Sequence, residues 1–425
     1  MREDTVRRKK ASKNFEQIIS PERVPELLQG IIADGKTMVD ELVGDLGRIF
    51  VECIFLMERE SLSGPDQAPT DQDLQKWASQ PGSIYIGKQK VKVQVPRLRS
   101  RTQGEVPLKS YTSMRKKDQF SEELLAQAIR GLSMRKYEET VTDMAEGFGI
   151  SPSSTSRHCV AATGKKLREF QERDLGGLNL FAIFIDAIHR GDKAFIVALA
   201  ITTDGQKYLL GFWEGASENH EVCQTLLKDL ERRNAKLHSD IVWITDGGSG
   251  TIKALKDRFG KKLLLQRCVI HKERNISSHL PKKHRHEAKE KFRAALQQNG
   301  YKDARSMLKE FEKWLRQINE SAANSLMEGF EELLTLHRLK VPVELRKTLR
   351  TTNPIESTFS SVRNMEYGIK RHRGSAMLQR WLAATLIASE ENFRKVKNFR
   401  QIKEVIENIE LERERQNQEW VSLAA

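Results

Sequence analysis

The sequence predicts a multidomain α/β protein. Three apolar, β-rich runs follow one another from residue 180, strand-like and helix-like patterns alternate after them, and three-and-four helical spacing dominates the regions on either side. At 425 residues the chain is long enough for roughly two to four domains. Lys and Arg number 72 against 58 Asp and Glu, a formal charge of +14, which favours a polyanionic partner and puts nucleic acid first. No run approaches the roughly 18 apolar residues of a membrane span, and MREDTVRRKKASKNF lacks the apolar core of a signal peptide. A cytoplasmic protein with no membrane partner and no nucleotide cofactor is expected. Cys53, Cys159, Cys223 and Cys268 lie too far apart for a paired CxxC, so neither a disulfide framework nor a zinc knuckle is indicated.

Taken in order, residues 21–60 carry apolar side chains at helical spacing and predict two or so amphipathic helices that pack or dimerise. The break SLSGPDQAPTDQD leads to GSIYIGKQKVKVQVPRLRSR, where Val91, Val93 and Val95 alternate with Lys90, Lys92 and Gln94. This is a small β-unit with one basic face. Lys90, Lys92 and Arg97 are candidate DNA contacts, and equally they are what an edge strand carries to resist aggregation. Within residues 134–170 a helix over roughly 137–146 ends at Gly147 to Gly149, and Ser151-Pro152 restarts a second with a cap and an N1 proline. That spacing fits a helix–turn–helix whose second helix offers Arg157 and His158 to a major groove, although glycine-linked helical hairpins are also common as pure structure.

From residue 180, FAIFIDAIHR, KAFIVALAIT and YLLGFWEG read as an antiparallel meander turning at Arg190-Gly191-Asp192 and Asp204-Gly205. HEVCQTLLKDLERRN is helical, IVWITDGGSG a strand, TIKALKDRF a helix and KLLLQRCVIH a strand, which together make a mixed sheet. Asp186 stands inside the first strand, where an unpaired buried charge costs several kcal/mol or more unless something binds it. Asp246 leaves the strand IVWIT and precedes Gly247 and Gly248, where backbone can approach a ligand closely; a strand-end Asp is also a common turn former. If the strands are neighbours, the two acids share a site. Hard cations such as Mg²⁺ or Mn²⁺ prefer such oxygens. In TTNPIES, Asn353 caps a new helix and sets Glu356 in its first turn, which makes Glu356 either a candidate third carboxylate or a simple complement to the helix dipole.

FIDAIHR, WITDGGSG, QRCVIHKERNI at 266–276 and TTNPIEST, in that order, resemble the Mutator-like transposases of bacterial insertion sequences over about residues 83–395. The resemblance implies an RNase H-like catalytic core with an Asp, Asp, Glu triad at Asp186, Asp246 and Glu356. It also implies a helical insertion ahead of the glutamate, which SMLKEFEKWLRQI and its surroundings would supply. The Cys-x-x-His signature falls on Cys268 and His271; half a zinc site without a second half argues for a buried cysteine and a histidine that reaches towards substrate. The organisation it suggests is a helical region at 1–80, a DNA-binding region at 81–175, the first part of the core at 176–275, the insertion at 276–350, and the end of the core with the glutamate helix at 351–425.

That family works on double-stranded DNA, at terminal inverted repeats and at a target, by hydrolysis to a 3′-OH and then strand transfer, with two divalent ions suited to in-line displacement. A homodimer pairing two ends is expected. Residues 261–300 hold 11 Lys or Arg against three acids. His271, Lys272 and Arg274, with Arg363, Lys370, Arg371 and Arg373 after the glutamate, are candidate phosphate contacts, although charge runs are commonly plain solvated faces. A transposon-derived regulator without catalysis, or a nuclease on the same fold, would share most of these features.

Overall fold

The computed structural model describes residues 47–64, 73–86, 89–115, 126, 129, 152–217, 219–369, 372 and 374–424. The expected helices before residue 47, the first helix of the helix–turn–helix pattern, and Lys370, Arg371 and Arg373 lie outside the described residues. The chain divides into two compact units, of which the first takes the described residues up to 126 with 152–159 and the second takes 129 with those from Val160 onward.

In the first unit a helix over 47–63 (α1) packs on an antiparallel sheet of β1 (Leu74–Ile86), β2 (Gln89–Ser100) and β3 (Gly104–Val106), in that order. Alternation decides the faces of β2. Val93 and Val95 are buried with Ile84 of β1, Val51 and Phe55 of α1 and Leu108, while Lys92 and Gln94 are exposed. β1 begins at Leu74, ahead of the apolar run GSIYIG. Its first residues carry no alternation and are held by backbone pairing, with Leu74 opposite Ser100. A short helix α2 (Lys109–Met114) follows, and α3 (Pro152–Glu172) begins at the proline that marked a helix start.

The second unit is built on a five-stranded sheet. Its strands are β4 (Leu180–Arg190), β5 (Lys193–Thr202), β6 (Lys207–Gly215), β7 (Val242–Thr245) and β8 (Leu264–Arg267), in the spatial order β6-β5-β4-β7-β8. β4, β5 and β6 pair antiparallel, whereas β7 and β8 are parallel to β4. Helices cover both faces, which is why FAIFI is apolar throughout instead of alternating. Ile183 and Ile185 face α4 (His220–Arg232) and α5 (Ser249–Phe259), in a core with Leu226, Leu230 and Leu255. Ala182, Phe184 and Ile188 face the other way.

KLLLQRCVIH does not stay a strand to His271. It ends at Arg267, Cys268 N donates to Thr245 O at 2.8 Å, and α6 (Val269–Ser278) starts at once, burying Val269 and Ile276 on one side. α7 (Lys282–Gln297), α8 (Tyr301–Ile318) and α9 (Glu320–Met327) add a separate core with Phe292, Leu308, Phe311, Leu315 and Leu326. Each such side chain contributes about 1.5–3 kcal/mol by burial. Trp314 belongs to this packing, stacked on Phe311. α10 (Thr335–Arg338) and α11 (Val343–Leu349) return to the sheet through Leu336, Leu345 and Leu349. α12 (Asn353–Met365), α13 (Ser375–Glu390) and α14 (Ile402–Ala424) then cover the face of Phe184, with Ile355, Phe359, Leu382, Leu386 and Ile402.

Candidate active site

Strand register sets the first two acids side by side. The last paired residues of β4 and β7 are Ile185 and Thr245, so Asp186 and Asp246 are the next residues on parallel neighbours about 4.8 Å apart. Asp186 continues along β4 opposite Val197 and is 9% exposed, whereas Asp246 enters a loop. Period two puts Asp186 on the face of Phe184 and Ile188, the face that α12 covers, and so the third acid arrives there.

Each carboxylate is held through one oxygen. Ala187 N donates to Asp186 Oδ1 at 2.8 Å, Gly248 N to Asp246 Oδ1 at 3.0 Å, and Thr352 Oγ1 to Glu356 Oε1 at 2.8 Å. The Asp246 loop requires glycine: Gly247 has φ +109°, and a Cβ there would lie 2.3 Å from Nη2 of Arg267. Helix α12 starts one residue earlier than TTNPIES suggests. Thr352 is its N-cap and Asn353 is already helical, and the Thr352 hydroxyl serves the Glu356 carboxylate instead of a backbone N–H.

Burial, then the Asp246 charge, pushes the Asp186 carboxyl up to about 7, with Glu356 adding to it and the Ala187 bond and His271 opposing. His271 Nε2 lies 3.7 Å from Glu356 Oε1. Its imidazole is raised to about 9, first by its hydrogen bond with Cys268, against burial, and then by the charges of Cys268, Asp246 and Asp186. Burial would lift the Cys268 thiol, but hydrogen bonds with His271 and Thr352 bring it below its ordinary value. Thr352, fully buried, joins these groups: its N and Oγ1 each lie 3.4 Å from Cys268 Sγ, and Oγ1 lies 3.4 Å from His271 Nδ1. Among the described residues, no group of three or more His, Cys, Asp or Glu side chains stands in metal-holding geometry.

A sequence model described as "Transposase, Mutator family" matches residues 26–396. The chain belongs to this family. Relatives of this Mutator-family transposase include the transposase of insertion element IS6120 from Mycolicibacterium smegmatis, 30% identical over 57% of this chain and 76% of the relative. The transposase of IS905 from Lactococcus lactis is 25% identical over 75% and 81%, respectively. That of IS256 in transposon Tn4001 from Staphylococcus aureus is 25% identical over 62% and 68%. DNA is the kind of partner on which transposases act, in keeping with the basic charge. Among the described residues of this transposase, no helix is long and apolar enough to cross a membrane.

The basic candidates separate. Lys92, Arg157, Arg274 and Arg363 are exposed; Lys90 and His158 are half-buried. Arg97 donates twice to Glu105, at 2.9 Å each. Lys272 departs from expectation. It is 1% exposed, with Nζ 2.9 Å from Ser325 O and 2.5 Å from Glu328, so its ammonium faces protein and not a phosphate. Beside it buried Arg267 donates to Glu328 at 3.0 and 2.9 Å and to Glu332 at 3.2 Å. Sequence reasoning missed Thr352, Arg267 and Glu328. Of these, only Thr352 left a local signal, a hydroxyl four residues before the glutamate at a helix start.

Proposed function

We propose that this transposase binds the terminal inverted repeats of its element, cleaves DNA there and joins the ends to target DNA at a divalent-cation centre formed by Asp186, Asp246 and Glu356. The register of β4 and β7, with α12 laid over Asp186, is the observation that carries this reading. The order β6-β5-β4-β7-β8, with β5 antiparallel to the other four, supports an RNase H-like core. Three carboxylates, one of them buried and raised by its neighbours, are a hard-oxygen donor set short of positive charge, which suits Mg²⁺ or Mn²⁺. They would hold a pair of such ions, which when bound supply Lewis-acid activation of the attacking and leaving oxygens.

The residues of the chain do the remaining work. Asp186 gives up the proton that it keeps until about pH 7. Thr352 fixes one oxygen of Glu356, cationic His271 offsets the acids and offers an N–H to a phosphate oxygen, and Gly248 N holds one oxygen of Asp246. In hydrolysis water attacks phosphorus and the P–O3′ bond breaks, leaving a 3′-OH and a 5′-phosphate. In strand transfer that 3′-OH attacks a target phosphorus and a target 3′-OH leaves. On the same reading residues 1–80 help to form a homodimer in the cytoplasm, and residues 81–175 with Lys92, Arg157 and His158 contact the repeats. Residues 176–275 and 351–425 make the core around the insertion at 276–350. The helix–turn–helix belongs to this proposal too, with α3 as its recognition helix.

The test incubates wild type and Glu356→Gln with duplex carrying the repeats that flank the coding region, with Mg²⁺ or with chelator, and maps nicked and joined products. Metal-dependent nicking and joining are expected for wild type, falling on the order of 10³-fold in the variant. Specific binding without cleavage in any metal favours a DNA-binding regulator, and cutting without joining favours a nuclease.

A further inference from the structure

α6 leaves the candidate site at Cys268 and carries His271 in its first turn. Arg274, three residues on, lies on the same helical side and is exposed. Beyond it a cleft opens between α6 and α7, lined by Arg274, Ser277, Ser278, Lys282, Arg285 and Lys289, with His286 at its edge. Every lining side chain is basic or a hydroxyl. Glu273, buried beneath, pairs with Arg293 at 2.7 and 3.0 Å and with Lys289 at 3.4 Å, so the cleft's charge rests on Arg274, Lys282 and Arg285. His286 is occupied by Glu290 at 3.6 Å, and Arg285 is oriented by its Nε bond to Leu280 O at 2.9 Å. From His271 to Ser278 α6 rises about 10 Å, roughly three base-pair steps of rise along a duplex axis.

We infer that the α6–α7 cleft is a track for the phosphate backbone of duplex DNA, holding the strand as it leaves the carboxylate site. This rests on the proposed chemistry, since it takes the reacting phosphate to lie beside His271. Contacts of this kind carry no base information, so the track grips repeat and target alike.

The test measures binding of two labelled duplexes, one with the terminal repeat and one scrambled, by fluorescence anisotropy in chelator across about 50–200 mM KCl, the range over which phosphate contacts are read out as a slope. The triple variant Arg274→Ala/Lys282→Ala/Arg285→Ala removes three exposed cations. Its log K against log salt slope should be shallower than wild type by about 2–3, equally on both duplexes. The control Lys302→Ala/Lys309→Ala/Lys313→Ala removes three exposed charges from α8 and should leave the slope near wild type. An unchanged slope in the first variant, or an equal change in the control, overturns the track. Because chelator removes chemistry, these slopes stand whatever the nicking experiment returns. Failure there with a shallower slope here would sink the metal centre and keep the DNA surface.

Discussion

Two clusters of charge meet at the end of the same sheet, and they are resolved in opposite ways. Around Arg267 and Lys272 every buried cation has acids to answer it, Glu328 and Glu332, brought from the insertion across to the strand end. Around Asp186 three carboxylates share their space with His271 as the cation beside them. The first arrangement is a clasp that carries its own counter-charges. The second sets buried Asp186 beside part-exposed Asp246 and Glu356 with one cation among them, which costs stability and on the proposed chemistry is relieved when a divalent cation binds.

The sharpest way to test this contrast is to titrate metal-free protein. The folded-state value for Asp186, about 7, lies above its ordinary 3.8, so its contribution to stability is full below about pH 4 and is lost as pH rises through 7. The difference in stability between chelated wild type and Asp186→Asn should therefore shift by on the order of 3–4 kcal/mol against wild type across that window, read from urea melts of both at each pH, since His337, lowered to about 4, titrates with the opposite sign in each. An unchanged pH dependence in the variant would remove Asp186 as the source. The clasp should respond differently. Arg267→Met should cost about 2–4 kcal/mol by urea midpoint, towards the lower end because Glu328 is half-exposed and can rehydrate, with little dependence on divalent ions.

Gly247 ties the clusters together, since its missing side chain is the space that the Arg267 guanidinium occupies beside the Asp246 loop. Gly247→Ala should destabilise by about 1–3 kcal/mol and also lower metal-dependent nicking, because it disturbs the Arg267 clasp and the Asp246 loop together. The smallest change is Thr352→Val, which keeps shape and deletes the hydroxyl on Glu356. A loss of about 1 kcal/mol in stability and about tenfold in nicking is expected, restored by Thr352→Ser. A variant that melts early but nicks normally per folded molecule would leave Thr352 with packing alone.

Much of this was legible in the sequence. The apolar runs named the strands because strands covered on both faces need no alternation, and Asp186 stood out for the same reason, as a charge with no strand end to excuse it. The glutamate helix announced itself through Asn-Pro, although the cap proved to be Thr352. What stayed hidden depends on register and distance. KLLLQRCVIH reads as one strand until the Cys268 N–H to Thr245 is seen to turn the chain. Lys272 reads as a surface cation because its partner Glu328 lies 56 residues away. No local pattern reports a clasp between elements that far apart.

The insertion has a consequence for the order in which the molecule is made. Asp186 and Asp246 leave the ribosome well before Glu356, and α6 to α11 lie between, of which α6 to α9 pack around a cluster apart from the sheet's. Closing so long a loop is slow relative to local helix packing. On the proposed chemistry, a nascent chain thus carries two acids of the centre but no competent site until the insertion has folded and α12 has docked, so nuclease activity arrives last in synthesis.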